Sequence, residues 1–481
     1  MIKRTKIVAT VGPASDSPEV LKSLILAGVN VFRLNFSHGT HEYHLGVLNS
    51  IRRAMDETGI LVGVMQDISG PKIRVGKLAD EFVLSSGDFI DFYYESILGE
   101  KVSDGYFKLS INEEGILRRL KVDDFIYLYD GLIRAKIVDV NDVYVRAEIE
   151  NAGKLTSNKG VNFPTTPLGI NILTEKDKKD MKWGVENGVD FMAISFVQNA
   201  NDMINAREIV KSHGGNTQLI AKIEKFDAVE NIDEILEHSD GLMVARGDLG
   251  IEVPYHQVPI IQKMLIQKAN ACSKPVITAT QMLLSMSEKE TATRAEISDV
   301  ANAVLDGSDA VMLSEESAVG KHPPLAVKTM VETIKAIEEV YPFDKFTFDY
   351  KDENDKINES IVRLGDTLGS DGIISMTTSG QSAKKLSRYR PRVTIYAATP
   401  DRNVARSLTL VWGVAPAYIT RETHIESILS DIIQSGIRRN IIDLDKTYLF
   451  TAAYPMADPR ATNMIRILSR EELTFFGDLD S

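Results

Sequence analysis

The sequence predicts an α/β chain of three units: a (β/α)8 barrel, a small β domain inserted into it as a lid, and a C-terminal open α/β sheet. Three observations predict this. Eight short apolar, β-branched runs alternate with helix-like stretches in two blocks of the chain. Between the third and fourth runs, alternating apolar and aromatic positions replace that rhythm. Beyond residue 345 a second, separate series of strand-like runs begins. The expected boundaries are 1–72 and 168–345 for the barrel, 73–167 for the insert and 346–481 for the C-terminal domain.

The eight runs are residues 6–11, 29–37, 61–67, 189–196, 218–224, 241–248, 275–281 and 310–314. Most are near-continuously apolar, as parallel strands covered by helices on one face and packed inside on the other must be. Residues 19–26, 202–211 and 288–305 carry the spacing of amphipathic helices. In the insert, residues 88–94, 125–129 and 143–149 alternate and read as antiparallel strands, with turns at Asp130-Gly131 and Asn141-Asp142. An insert rising from the catalytic end of a barrel is either a lid or a passive decoration. The charged stretch 351–356 reads as part of a linker, and 372–377, 393–399, 414–419, 447–452 and 464–468 as strands of the last domain.

Composition narrows the class. The chain has 481 residues, 43% hydrophobic and 26% charged, with a net charge of −13. That length suits several domains with a large core, and that charge disfavours nucleic acid or an anionic membrane as a general partner. Cys272 is the single cysteine, so no internal disulfide forms and a reducing cytoplasm is expected. The first ten residues lack the apolar core of a signal peptide, and no run reaches the ~18 apolar residues of a membrane span.

Polar residues collect where the apolar runs end. On a strand, Lys222 and Glu224 share a face, as do Arg246 and Asp248, and so do Arg33, Asn35 and Ser37. Asp67 ends the third run, and Thr278 and Thr280 lie in the seventh. One such pair is equally a structural salt bridge. Paired carboxylates beside lysine and arginine also suit a hard cation held next to a phosphate. Several strands delivering polar groups to one barrel mouth favour chemistry.

Residues 33–39 (RLNFSHG), 67–74 (DISGPKIR), 222–224 (KIE), 243–250 (MVARGDLG), 278–282 (TATQM) and 293–307 (TRAEISDVANAVLDG) together resemble the pyruvate kinase family. The resemblance implies a barrel, a β-barrel lid, a C-terminal regulatory domain and a homotetramer. It also implies phosphoryl transfer from phosphoenolpyruvate to ADP, giving pyruvate and ATP. In that reading Glu224 and Asp248 hold Mg2+, or Mn2+ in its place. Lys222 offsets charge on the moving phosphoryl group and Arg33 clamps the phosphate. Gly247, Asp248 and Thr280 bind the substrate carboxylate, while Thr280, Glu296 and Ser298 organise a proton relay. Pro13, Asn35, His38, Tyr43 and Arg74 match nucleotide positions. Taken alone, His38 reads as a surface histidine and Tyr43 as helix packing. A Walker-type loop is absent from the sequence, leaving phosphate binding to side chains and metal.

Four departures from the family pattern matter. Many relatives hold K+ on oxygens matching Asn35, Ser37, Asp67 and the Ile68 carbonyl, with a glutamate near; here Lys72 takes the glutamate position. An ammonium there replaces the cation, and two cations side by side repel, so K+ is expected to be dispensable. The alternative is a solvated hinge charge. Asn199 stands where relatives carry a lysine near the ADP phosphates, and Glu315-Glu316-Ser317 replaces a more usual Gly-Glu-Thr. Thr377, Thr378, Ser379, Gly380, Gln381 and Ser382 resemble a loop that binds a phosphorylated effector, but residues 452–460 depart from the partner segment. A Mg2+-dependent lyase or aldolase forming a pyruvate enolate on the same barrel is the competing function, distinguished by its indifference to nucleotide.

Overall fold

Eight parallel strands close into a barrel in sequence order: β1 (Lys6–Val11), β2 (Val31–Asn35), β3 (Gly63–Asp67), β4 (Phe191–Ile194), β5 (Gln218–Ile223), β6 (Gly241–Ala245), β7 (Val276–Ala279) and β8 (Ala310–Leu313), with β8 pairing back onto β1. The computed structural model describes residues 3–129, 131–164, 166, 169–343, 346–349, 352–418, 424–454 and 462–478. Nearly every strand residue is buried, which is why the runs read as continuous rather than alternating. Side chains from all eight strands fill the interior: Val8, Val31, Met65, Phe191, Ala193, Ile220, Met243, Ile277, Ala279, Ala310 and Met312. Leu410 of the C-terminal domain joins that same cluster.

The insert forms a seven-stranded sheet and a separate two-stranded ribbon around its own apolar core. The expected strands appear as Phe89–Tyr93, Phe125–Leu128 and Tyr144–Ile149, and Asn141-Asp142 turns the chain between Ile133–Val140 and Tyr144–Ile149. Most pairings are antiparallel, but Phe89–Tyr93 runs parallel to Tyr106–Ser110. The Asp130 half of the other expected turn lies outside the described residues.

The C-terminal sheet orders β11 (Val414–Tyr418), β10 (Thr394–Thr399), β9 (Gly372–Met376), β12 (Tyr448–Ala452) and β13 (Met464–Leu468), all parallel except β13. Ile419 and Pro455–Arg460 fall outside the described residues.

Three local expectations are corrected. Residues 241–248 are not one strand: β6 stops at Ala245, and Arg246–Glu252 is a helix with Asp248 in its first turn, where its charge suits the helix dipole. The stretch 288–305 is helical only over Arg294–Leu305, because Thr293 and Glu296 form a capping box that fixes the start. Asp352 does not belong to a linker; its side chain caps the helix Glu353–Leu368 by accepting from the Asp355 N–H. Lys351 is outside the described residues.

The C-terminal domain docks against the N-terminal ends of the barrel strands. Arg390, fully buried, pairs with Asp309 just before β8, and Arg406 pairs with Asp190 just before β4. Lys6 donates to the Val414 carbonyl at 2.7 Å. The opposite end of the barrel is therefore left to the lid.

Candidate active site

Lys222 is the penultimate residue of β5 and points into the barrel mouth, where its ammonium meets three oxygens. These are Asp67 Oδ1 at 3.0 Å, Ser195 Oγ at 2.6 Å and Glu224 Oε1 at 2.8 Å. Burial alone lowers a lysine pKa; here the Asp67 and Glu224 carboxylates outweigh it and hold the ammonium above its ordinary range. Asp67, at the end of β3, is likewise pushed up by burial, but Arg33 and Lys222 hold its carboxyl below the usual range. Arg33 donates from Nε to Asp67 at 2.6 Å and from Nη1 to Thr10 at 3.0 Å; neither bond uses Nη2. Three strands thus lock one arginine, one aspartate and one lysine into a single network.

Glu224 follows β5 directly, and its second oxygen accepts the Phe196 N–H at 2.9 Å. Asp248 follows β6, the hydrogen-bonded neighbour of β5, in the first turn of the Arg246–Glu252 helix. Mg2+ needs only one or two protein carboxylates, completing its shell with water and substrate oxygens. The donor set fits such an ion. Among the described residues no group of three or more His, Cys, Asp or Glu side chains makes a closed protein cage, and an open site of this kind requires none.

Arg246 does not share a face with Asp248. Because a helix starts there, its guanidinium turns sideways and donates to the Ala279 and Thr280 carbonyls at 3.1 and 2.7 Å, and to Asp299 at 2.6 Å. This holds the end of β7 in an unusual shape. Thr280 and Gln281 both have positive φ, 68° and 54°, as does Phe196 at 58°, all non-glycine and all just past strand ends of the mouth. Strain of this kind concentrates at ligand sites. The Thr280 hydroxyl accepts the Gly247 N–H at 2.8 Å. A Cβ on Gly247 would meet Thr280 no closer than 3.5 Å, so glycine is not demanded by the protein's own packing and leaves the backbone open on the ligand side.

The remaining expected residues divide into those at the mouth and those occupied elsewhere. Asn35 pairs in register with Asp67 and its side chain accepts the Ser37 N–H; Ser37 Oγ lies 3.3 Å from Ser69 Oγ. The Ile68 carbonyl accepts the Ser195 hydroxyl at 2.6 Å. Lys72 is exposed as a whole, but its ammonium end is partly desolvated in a cavity also lined by Arg74 and Asp248. That desolvation, then Arg74 and Lys222, lower its pKa while Asp248 and Asp67 raise it. Pro13 and His38 are exposed in the loops after β1 and β2. Tyr43 donates to Asp16 at 3.0 Å, and burial with that carboxylate pushes its phenol up to about 12. Arg74 donates to the Asn158 carbonyl at the base of the lid.

Glu296 is held elsewhere: its carboxylate accepts four bonds from Ser285 and Thr293, which keeps it as a helix cap rather than an open proton acceptor. Ser298 is exposed on that helix. Asn199 caps the helix Ala200–Ser212. Glu316 is fully buried and accepts the N–H groups of Leu283 and Ser314, bracing the loops after β7 and β8. In the C-terminal domain, Thr377 Oγ1 accepts the Gly380 N–H, Ser382 bonds Thr462, and Thr378 and Ser379 line a cavity shared with the barrel. Ser195 and Phe196 were not singled out from the sequence, although a polar residue ending the fourth apolar run is the same signal that marked the others.

A parallel barrel whose mouth joins carboxylates, a buried ammonium and an arginine is the frame of an enzyme acting on an anionic substrate. Comparison specifies it further. Residues 2–327 match the family model described as pyruvate kinase, barrel domain, and residues 355–468 that of the pyruvate kinase alpha/beta domain. Pyruvate kinases of Staphylococcus aureus strains MRSA252 and USA300 are each 39% identical over 474 residues, 97% of this chain and 80% of theirs. A crystal structure of a pyruvate kinase from Cryptosporidium parvum superposes with a TM-score of 0.92 at 32% identity, covering 97% of this chain and 96% of that one. The chain belongs to the pyruvate kinase family and is a phosphotransferase. The lyase or aldolase reading finds no support.

Proposed function

We propose that the barrel mouth transfers the phosphoryl group of phosphoenolpyruvate to ADP through the residues described above. The observation that carries this reading is the Lys222 ammonium, buried yet charged, held by Asp67, Ser195 and Glu224. Glu224 and Asp248 hold the Mg2+ (or Mn2+) general to the family, which supplies charge neutralisation on substrate oxygens. Arg33, fixed through Nε and Nη1, presents Nη2 to the phosphate. Lys222 offsets negative charge on the migrating group without any proton transfer of its own. Gly247, Asp248 and Thr280 orient the carboxylate. As the P–O bond breaks, an ADP oxygen takes the phosphoryl group and the enolate electrons accept a proton at carbon. Thr280, with Ser298 through water, delivers that proton; Glu296 fixes the start of the helix that carries Ser298.

The nucleotide lies along Pro13, Asn35, His38 and Tyr43, with Arg74 reaching its phosphates from the lid base. Lys72 stands in for K+ beside Asn35, Ser37, Asp67 and Ile68, a reading supported by its place in the cavity that Arg74 and Asp248 also line. The protein acts as a cytoplasmic homotetramer, and Thr377–Ser382 is the candidate effector loop. No helix among the described residues is long and apolar enough to cross a membrane. A lactate-dehydrogenase-coupled assay in tetramethylammonium buffer with phosphoenolpyruvate, ADP and Mg2+ tests the reading. Full turnover without K+ is expected, and a many-fold rise on adding KCl removes the Lys72 assignment.

A further inference from the structure

The chain crosses between barrel and lid twice, and the two crossings form one ribbon. Val161 N–H donates to Ile73 O at 3.0 Å, Val75 N–H to Lys159 O at 2.9 Å and Asn158 N–H to Val75 O at 3.0 Å, with Arg74 and Gly160 bridged between them. The ribbon carries Arg74 on its outgoing limb. Its returning limb ends at Phe163, whose ring lies in the lid core and whose carbonyl accepts from Lys225 Nζ at 3.2 Å. Lys225 also pairs with Glu252 at 2.7 Å, their side chains only 4% and 1% exposed. The Asn162 amide faces the same carboxylate. Lys225 follows Glu224, and Glu252 ends the Arg246–Glu252 helix whose first turn carries Gly247 and Asp248. A buried ion pair is a weak device for stability alone, since apolar residues of similar volume serve as well.

We propose that Lys225, braced by Glu252, anchors the returning limb of the lid to the segments bearing Glu224 and Asp248, and so positions Arg74 over the nucleotide. Lys225 is a positioning residue. The inference rests on the assignment of Arg74 to the nucleotide, but its structural half does not. With the ribbon tied at Phe163, the lid swings about a fixed end and returns Arg74 to one place relative to the metal carboxylates.

Hydrogen exchange of the full-length protein tests the anchor. The K225M/E252L variant leaves no uncompensated buried charge, and E252Q serves as a second variant that keeps the lysine. In K225M/E252L, exchange across residues 73–76 and 158–163 is expected to rise about tenfold or more, while Phe125–Leu128, Ile133–Val140 and the barrel strands keep wild-type protection. KM for ADP rises about tenfold while KM for phosphoenolpyruvate stays within about twofold. Wild-type exchange in both limbs overturns the anchor, and so does a uniform rise across lid and barrel, which marks a purely structural pair. R74A is the control: if it leaves KM for ADP unchanged, the Arg74 assignment fails while the exchange result still decides the anchor.

Discussion

The Lys222 ammonium and the Glu224 carboxylate stand 2.8 Å apart at the mouth of the barrel, two residues apart on the same face. Asp67 holds the lysine from a different strand, so its position does not depend on substrate. Replacing Lys222 by Met removes the charge and keeps the length of the side chain. Loss of a preorganised group of this kind costs about 10²–10³-fold in kcat. Mn2+ binding, followed by water-proton relaxation, is expected to survive, because Glu224 and Asp248 remain. Unchanged turnover refutes the role.

Lys72→Glu reverses the sign of a charge in the cavity that Asp248 also lines. The variant is expected to require K+ for turnover, with activity in tetramethylammonium buffer restored many-fold by KCl. If it works equally well with and without K+, Lys72 is a hinge charge and nothing more.

Arg390 joins the C-terminal domain to the barrel. Its guanidinium donates to Asp309, Asn270 and the Gly307 carbonyl and is almost entirely buried. Arg390→Met takes the guanidinium from the buried Asp309 carboxylate, leaving it the Trp412 and Val276 N–H groups. Breaking a buried pair in this way destabilises by about 3–5 kcal/mol, which denaturant unfolding of the variant measures. The expected loss is seated in the domain contact, so the early part of the transition is the sensitive region.

Lys6 gives that contact a pH dependence. Burial lowers its pKa to about 8 against Glu338 and Asp309, which raise it. Between pH 8 and the ordinary lysine value of 10.5 the unfolded chain holds this proton and the native one does not. Stability from this group therefore rises with pH across that window and is lost as pH falls through 8. Relative to Lys6→Met, the wild type gains about 1.4 kcal/mol per pH unit there. A difference between the two that is flat from pH 8 to 10 contradicts the assignment.

The barrel was legible because buried parallel strands write themselves as continuous apolar runs. Their C-terminal limits were not: the runs over-reach β5, β6 and β7 at Ile223, Ala245 and Ala279. Glu224, Asp248 and Thr280 lie just past those ends, in the loops and the helix start where function sits. Period-two reasoning placed Lys222 and Glu224 correctly on one face but misdirected Arg246, because the helix beginning there breaks the alternation. The capping role of Glu296 was readable in Thr293-x-x-Glu296, a spacing that marks a helix start on its own. The buried pairs Arg390–Asp309 and Arg406–Asp190 were not readable, since each partner is more than 80 residues away and a single charge carries no sign of where it will be buried.

The proposed mechanism requires Glu224 and Asp248 to grip one divalent ion beside Lys222. Electron paramagnetic resonance of Mn2+ titrated into the wild type, E224Q and D248N, each with phosphoenolpyruvate present, tests it most directly. One tight site is expected in the wild type, weakened about tenfold or more in either variant. Wild-type affinity in both variants rules out Glu224 and Asp248 as the metal ligands.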